Sequence, residues 1–336
     1  MSHDLDHTTG KPAMAYVGET PWHGLGEQLP PNQPIEAWLK AARLEWHLER
    51  LPVQYLVDGR IRTMPDRFVL ARSDTRDALS VVSGDYQLVQ PKEVLEFYRD
   101  LVSDFGYTLE TAGALNGGRK VWALASTGVT EHVGDSQTDP MKMYVLLATS
   151  CDKTLATTAA FTSVRVVCQN TLFFALADVK SQGRKHIKVP HTRRFEMQDV
   201  KQQLGLIDVS WSKFLNQIRA AAAHKLDDSK VSEFFDRVLG RKLPQPLSPR
   251  AERDHIAMMS LYRSAPGQDT DTAKGTLWGA VNAVTYYADH VRAGGAAERL
   301  DSAWFGAGNS LKERAWAEAE SLLVGLDAHA STELRR

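Results

Sequence analysis

Lys180 to Arg194 reads K-S-Q-G-R-K-H-I-K-V-P-H-T-R-R and is the most basic stretch of the chain. Lys180, Arg184, Lys185, Lys188, Arg193 and Arg194 carry charge, and no acid interrupts them from Ser181 onward. His186 and His191 add partial charge below neutral pH. Gly183 and Pro190 bend the segment into an irregular hairpin or arm. A cation cluster of this kind is a footprint for a phosphate backbone, because each neutralised phosphate releases condensed counterions. The same cluster also serves as a solvated loop that keeps a sheet edge soluble. Arg60, Arg62, Arg67 and Arg72 alternate with apolar residues earlier in the chain and can extend a positive face. Phe161, Tyr86 and Tyr107 are aromatic enough to stack on unpaired bases, or to fill a core.

Just before the basic arm lies T-S-V-R-V-V-C-Q-N-T-L-F-F-A-L, Thr162 to Leu176. Val164, Val167, Cys168, Thr171, Leu172 and Ala175 recur at helical spacing, and Thr162 or Ser163 can cap the first turn. The spacing predicts a buried helix entered from a strand. Its other face would carry Arg165, Gln169 and Asn170. That face either touches a nucleic acid or satisfies nearby backbone groups. Cys168 reads as a small buried hydrophobe.

Other chemistry is sparse. Asn282, Tyr286 and His290 are four apart on one predicted helix and share a face beside Asp289, as an acid–base pair or as a packing network. His23 sits beside Trp22 near the start, as a ligand or as part of a plug on the main body. The chain has no H-E-x-x-H, no Walker loop, no dinucleotide fingerprint and no nucleophile elbow. No catalytic residue, metal or cofactor is assigned. Two cysteines are too few for a disulfide framework or a cysteine zinc site. The formal net charge of -1 excludes a globally basic binder and leaves room for a local patch only. No apolar run approaches the length of a membrane helix, and the N-terminus lacks the pattern of a signal peptide. A reduced, cytoplasmic setting follows from these features.

The elements that must position these residues predict an α+β fold. A helix runs from Pro34 to Arg50. Strands follow at 53–57 and 61–64, joined by Asp58-Gly59, and at 67–71 and 79–82. A helix runs from Pro91 to Phe105 and ends at Gly106. Strands at 107–114 and 119–126 flank Asn116-Gly117-Gly118, and a near-continuous apolar strand at 141–149 lies inside the sheet. The result is an antiparallel sheet packed against helices, in a helix–β-meander–helix core. After Phe195 only helices are expected. The divisions are an N-terminal arm and helix (1–50), an α+β core (51–195), a helical C-terminal domain (196–326) and a flexible tail (327–336).

Three motifs carry a family resemblance: P-W-H-G-L-G at Pro21–Gly26, V-R-V-V-C-Q-N-T-L at Val164–Leu172, and G-T-L-W-G-A-V-N-A-V-T-Y-Y-A-D-H at Gly275–His290. Together they resemble the phage/plasmid-like protein family, domain-of-unknown-function family nine-three-two, which brings no settled activity with it. The element order of 91–177 is similar to the core of the phage single-strand annealing proteins (the RecT, Redβ and Erf type, and the Rad-type annealer). That similarity implies single-stranded DNA bound in a basic groove without ATP, by rings or filaments of the chain. DNA would then meet Lys180–Arg194 and the face of Arg165, Gln169 and Asn170. The competing expectation is a regulatory or interaction protein whose basic arm docks an acidic partner. A third is an enzyme whose site carries no recognisable motif.

Overall fold

In the computed structural model, the described residues are 5–21, 24–165, 167, 170–173, 186–204, 207–241, 246, 248–292 and 299–333. The fold is α+β, with mostly antiparallel sheets and a helical C-terminal region. The chain divides into two compact units. One comprises 1–129, 143–162 and 175–206; the other comprises 130–142, 163–174 and 207–336.

The first unit begins with β1 (Met14–Val17), β2 (Glu27–Leu29) and α1 (Ile35–Ala41). The helix expected to reach Arg50 stops at Ala41, and Arg43 just beyond it adopts a left-handed conformation that breaks the helical path. β3 (Leu48–Val57), β4 (Arg60–Arg72) and β5 (Ala78–Ser83) form a separate antiparallel sheet. The β3–β4 turn has Asp58 and Gly59 both at positive φ, which an Asp-Gly pair accepts readily. α2 (Pro91–Glu96) opens with a capping box between Gln90 and Glu93 and with Pro91 in its first turn. α3 (Arg99–Phe105) ends on left-handed Gly106. Between the two helices, Tyr98 is fully buried and its hydroxyl donates to the carbonyls of Ala123 and Val145 at 2.7 and 3.1 Å, which docks the pair on the main sheet.

The main sheet adds β6 (Thr108–Leu115), β7 (Lys120–His132), β8 (Pro140–Ser150), β9 (Thr157–Arg165), β10 (Asn170–Phe173) and β11 (Ile187–Val189). Its order is β10-β9-β8-β7-β6-β1-β2, with β11 also on β9. The apolar strand β8 is interior, with Met143 and residues 145–148 almost wholly buried. The ends of β7, β8 and β9 belong to the second unit. The helix expected at 162–176 is absent from the described residues. β9 continues to Arg165, and Asn170–Phe173 form a strand. Thr157, Thr158, Thr162 and Val164 are β-branched; they lose side-chain freedom in a helix and pack well on a pleated surface. The core is therefore helix-then-strands at this point, with β10 where a closing helix was expected.

The second unit adds helices to these strand ends and β10: α4 (Met197–Leu204) precedes it, and α5 (Ile207–Ala223), α6 (Asp228–Val238), α7 (Pro249–Ser264), α8 (Leu277–Tyr286), α9 (Arg299–Phe305) and α10 (Ala307–Glu333) make up its helical part. Every residue of α8 from Leu277 to Thr285 is buried, so α8 is its central helix, with α5, α6, α7 and α10 packed around it. Thr276 caps α8 by accepting from the Gly279 amide at 3.0 Å. Tyr287–Val291 continue it as a π-helical turn. Among the described residues, no helix is long and apolar enough to cross a membrane.

Candidate nucleic-acid interface

Of the basic arm, residues 186–194 are described; Lys180, Arg184 and Lys185 lie outside the described residues, as does Gln169. The arm is pinned by apolar and aromatic residues at near-regular intervals. Ile187 is buried as β11 pairs antiparallel with β9, Ile187 opposite Ala159 and Lys188 opposite Thr158. The His191 ring stacks on Tyr86 at 4.6 Å, and its nitrogens face the carbonyl oxygens of Gln87 and Leu155 at 3.0 and 3.1 Å. Phe195 is buried, 6.2 Å from the Phe97 ring. Between these pins Lys188, Arg193 and Arg194 are exposed. Arg194 lies 3.3 Å from Glu196, both well exposed, a pair that contributes little. Lys188 and Arg193 have no acidic partner among the described residues.

Tyr86 is a core residue. It is 6% exposed, and its hydroxyl donates to the Ser150 carbonyl at 2.9 Å. Burial raises its phenol pKa above the usual tyrosine value. Phe161 is wholly buried, and Tyr107 is half-buried. Tyr86 and Phe161 therefore cannot stack on bases without unfolding the core around them.

The early arginines divide in two. Arg72 is buried and cannot extend a positive face. Its guanidinium is held by Asp6 and by Asp74, the latter at 2.8 Å, and lies 4.3 Å from the Trp46 ring. The bond from Arg72 holds the Asp74 carboxyl below the usual range. Arg60, Arg62 and Arg67 are exposed on β4, although Arg67 pairs with its neighbour Asp66. β5 pairs with β4 only from Arg67 to Ala71. Residues 54–63 are therefore a bare two-stranded ribbon. Its root is tied down where Arg50 donates to the carbonyls of Gly84 and Tyr86, and Asp66 accepts from the Gly84 amide at 2.9 Å. The turn at 84–87 thus holds the ribbon root on one side and His191 of the basic arm on the other.

Arg165 belongs to a closed cluster in the second unit. Its side chain is 1% exposed and the Asp139 side chain 0%. Asp139 accepts from Arg165 Nε and Nη2 at 2.6 and 2.9 Å, from Thr272 Oγ1 at 2.5 Å and from Trp278 Nε1 at 3.2 Å. Arg165 also donates to the Gly267 carbonyl and Thr270 Oγ1, and lies 5.7 Å from the Trp278 ring. Gly267 has φ +76°, and a Cβ there would come 2.6 Å from Val167 and 3.0 Å from the guanidinium. A saturated bidentate pair without solvent access offers no donor to DNA, so Arg165 does not form the exposed face expected of it. Asn170 lies in β10. Cys151 is buried, and burial pushes its thiol pKa up to about 12, which makes it a poor nucleophile at neutral pH.

The predicted Asn282, Tyr286 and His290 face is a packing arrangement. Asn282 is buried and donates to the Trp278 carbonyl of its own helix at 2.9 Å. The Tyr286 and His290 rings lie 4.4 Å apart. Asp289 is 2.7 Å from buried Lys312, and Tyr287 donates to Asp254 at 2.7 Å. Among the described residues, no group of three His, Cys, Asp or Glu can hold a metal ion.

Arg165 comes from the Val164–Leu172 motif and Trp278 from the Gly275–His290 motif, so two of the three motifs meet at Asp139. Residues 78–316 match the domain of unknown function DUF932, more than half of the chain. The chain belongs to the DUF932 family. The match takes in the basic arm and the whole Asp139 cluster, and begins after the β3–β4 ribbon and Pro21–Gly26. No curated protein and no solved structure matches the chain. Within the DUF932 span, sequence reasoning missed Asp139, which follows Glu131 and Asp135 in a polar stretch with nothing local to set it apart.

Proposed function

We propose that this DUF932 member is a phage- or plasmid-type protein that binds single-stranded DNA and promotes strand annealing without ATP, as an oligomeric ring or filament. One observation carries the reading. Lys188 and Arg193 are exposed cations without acidic partners among the described residues, on a segment held in place by Ile187, His191 and Phe195. Buried Arg72, Arg165 and Lys312, by contrast, are each paired with an aspartate. Cations that serve the fold are neutralised; Lys188 and Arg193 are left for an outside anion. The reading rests on charge placement, since the element order that suggested an annealing core ends in a strand.

The test is binding of a labelled single-stranded oligonucleotide beside a duplex of the same sequence, from about 50 to about 200 mM salt. Micromolar binding that favours the single strand, weakens with salt and falls in a Lys188→Ala/Arg193→Ala/Arg194→Ala variant supports it. An annealing-rate assay on complementary oligonucleotides then separates annealing from binding alone. No binding at the lowest salt overturns the proposal. Binding to polyglutamate instead of DNA would move the function to an acidic protein partner.

A further inference from the structure

The β3–β4 ribbon is an exposed feature that the basic-arm reading leaves unexplained. Its register assigns two faces. Gln54 lies opposite Thr63 and Leu56 opposite Ile61; Tyr55 lies opposite Arg62 and Val57 opposite Arg60. Cross-strand partners point to the same side and successive pairs to opposite sides. One face is therefore Gln54, Leu56, Ile61 and Thr63. The other is Tyr55, Val57, Arg60 and Arg62, and it carries two guanidiniums with no acid.

All of these residues are exposed. Tyr55 is 48%, Leu56 71% and Ile61 70% accessible. A two-stranded ribbon without a covering layer is marginally stable in water, and evolution commonly blunts such edges with charge or proline. Pro52 and the arginines fit that protective role. An aromatic ring directly across the strand pair from an arginine goes beyond it. Arg60 and Arg62 have no acidic partner among the described residues, in contrast to Arg67, which pairs with Asp66. They stand two residues apart, about 7 Å along the strand, a spacing suited to successive phosphates of an extended strand.

We propose that the Tyr55, Val57, Arg60 and Arg62 face of the ribbon grips single-stranded DNA, with Tyr55 stacked on an unpaired base and the two arginines on flanking phosphates. This rests on the single-strand reading given above and adds a second contact site to it. Two features select this occupant. The charge of the face complements a polyanion. Ring stacking needs the open face of a base, which a duplex hides inside its own stack. The shared turn at 84–87 ties the ribbon root to the basic arm, through Arg50 on one side and His191 on the other. One strand can therefore use both.

The test uses the full chain and a labelled oligothymidine of about 30 nucleotides, long enough to span both sites. Three variants are compared: Arg60→Ala/Arg62→Ala, Tyr55→Ala, and Gln54→Ala/Thr63→Ala on the opposite face. All substitutions are at exposed positions, and thermal melting checks that each variant is folded. Arg60→Ala/Arg62→Ala should weaken binding about tenfold or more at about 50 mM salt and reduce the slope of log K against log salt by about 1.4. Tyr55→Ala should weaken binding about tenfold without changing that slope. The opposite-face variant should bind like the parent. If the parent binds but the arginine and tyrosine variants bind equally well, the ribbon site is wrong while the single-strand reading stands. If the parent does not bind the oligothymidine, both fail. If the opposite-face variant loses as much as the other two, the ribbon acts through its fold, and the proposed face is wrong.

Discussion

The cluster around Asp139 and the outer β3–β4 ribbon use the same two groups, a guanidinium and an aromatic ring, in opposite settings. In the second unit Arg165 and Trp278 are sealed from water, and one carboxylate takes four hydrogen bonds. On the ribbon of the first unit, Arg62 and Tyr55 face each other across the strands with water around both and no acid on their face. The difference lies in what neutralises the charge. A buried cation must carry its own counter-charge, since leaving one uncompensated costs several kcal/mol. An exposed cation is solvated already and can exchange water for a phosphate. The acid count around an arginine, together with its burial, therefore separates a cation that holds the fold from one that can hold a ligand.

The largest expected effect breaks the closed side. Asp139→Ala should cost about 3–5 kcal/mol in denaturant unfolding, because it strands Arg165 in the core. A loss below about 1 kcal/mol would mean that the cluster is open to water and the contrast is false. Trp278→Phe keeps most of the buried ring and removes the donor to Asp139; a loss of about 1–2 kcal/mol is expected in the same assay.

A smaller effect concerns Asp74. Its bond from Arg72 lowers its folded pKa. The stability it adds is present at neutral pH and above, and is lost as pH falls through the acid range of that carboxyl. Asp74→Asn should therefore flatten the acid limb of a melting-temperature profile; an unchanged limb would show that the pair contributes nothing net. The smallest effect is on the open side. Arg60→Ala/Arg62→Ala should change stability by no more than about 0.5 kcal/mol. A larger loss in calorimetry would assign these arginines to the fold and remove the contrast with Arg165.

Much of the fold was legible locally. Asp58-Gly59 marked the hairpin, Gly106 the helix end and the apolar run 141–149 an interior strand, because each depends on backbone freedom or on burial of adjacent residues. The helix at 162–176 was misread. Its apolar residues satisfy helical spacing, but the β-branched run from Thr157 to Val167 carried the opposing signal, and pairing within the sheet decided for the strand. Of the candidate interface, Lys188, Arg193 and Arg194 are exposed as an arm requires. Arg165 could not be placed from sequence, since its partner Asp139 is 26 residues away and Thr272 and Trp278 more than 100.

By itself the sequence determined the α+β class, the helical C-terminal region, the family and the position of the basic arm. These follow from periodicity, composition and short motifs, all of which act over a few neighbouring residues. Only the tertiary structure decided which arginines are spent inside the protein and which are left outside. It also decided that the ribbon root and the basic arm meet on one turn. Both depend on contacts between distant segments, and the energy of a charge is set by what folding places around it.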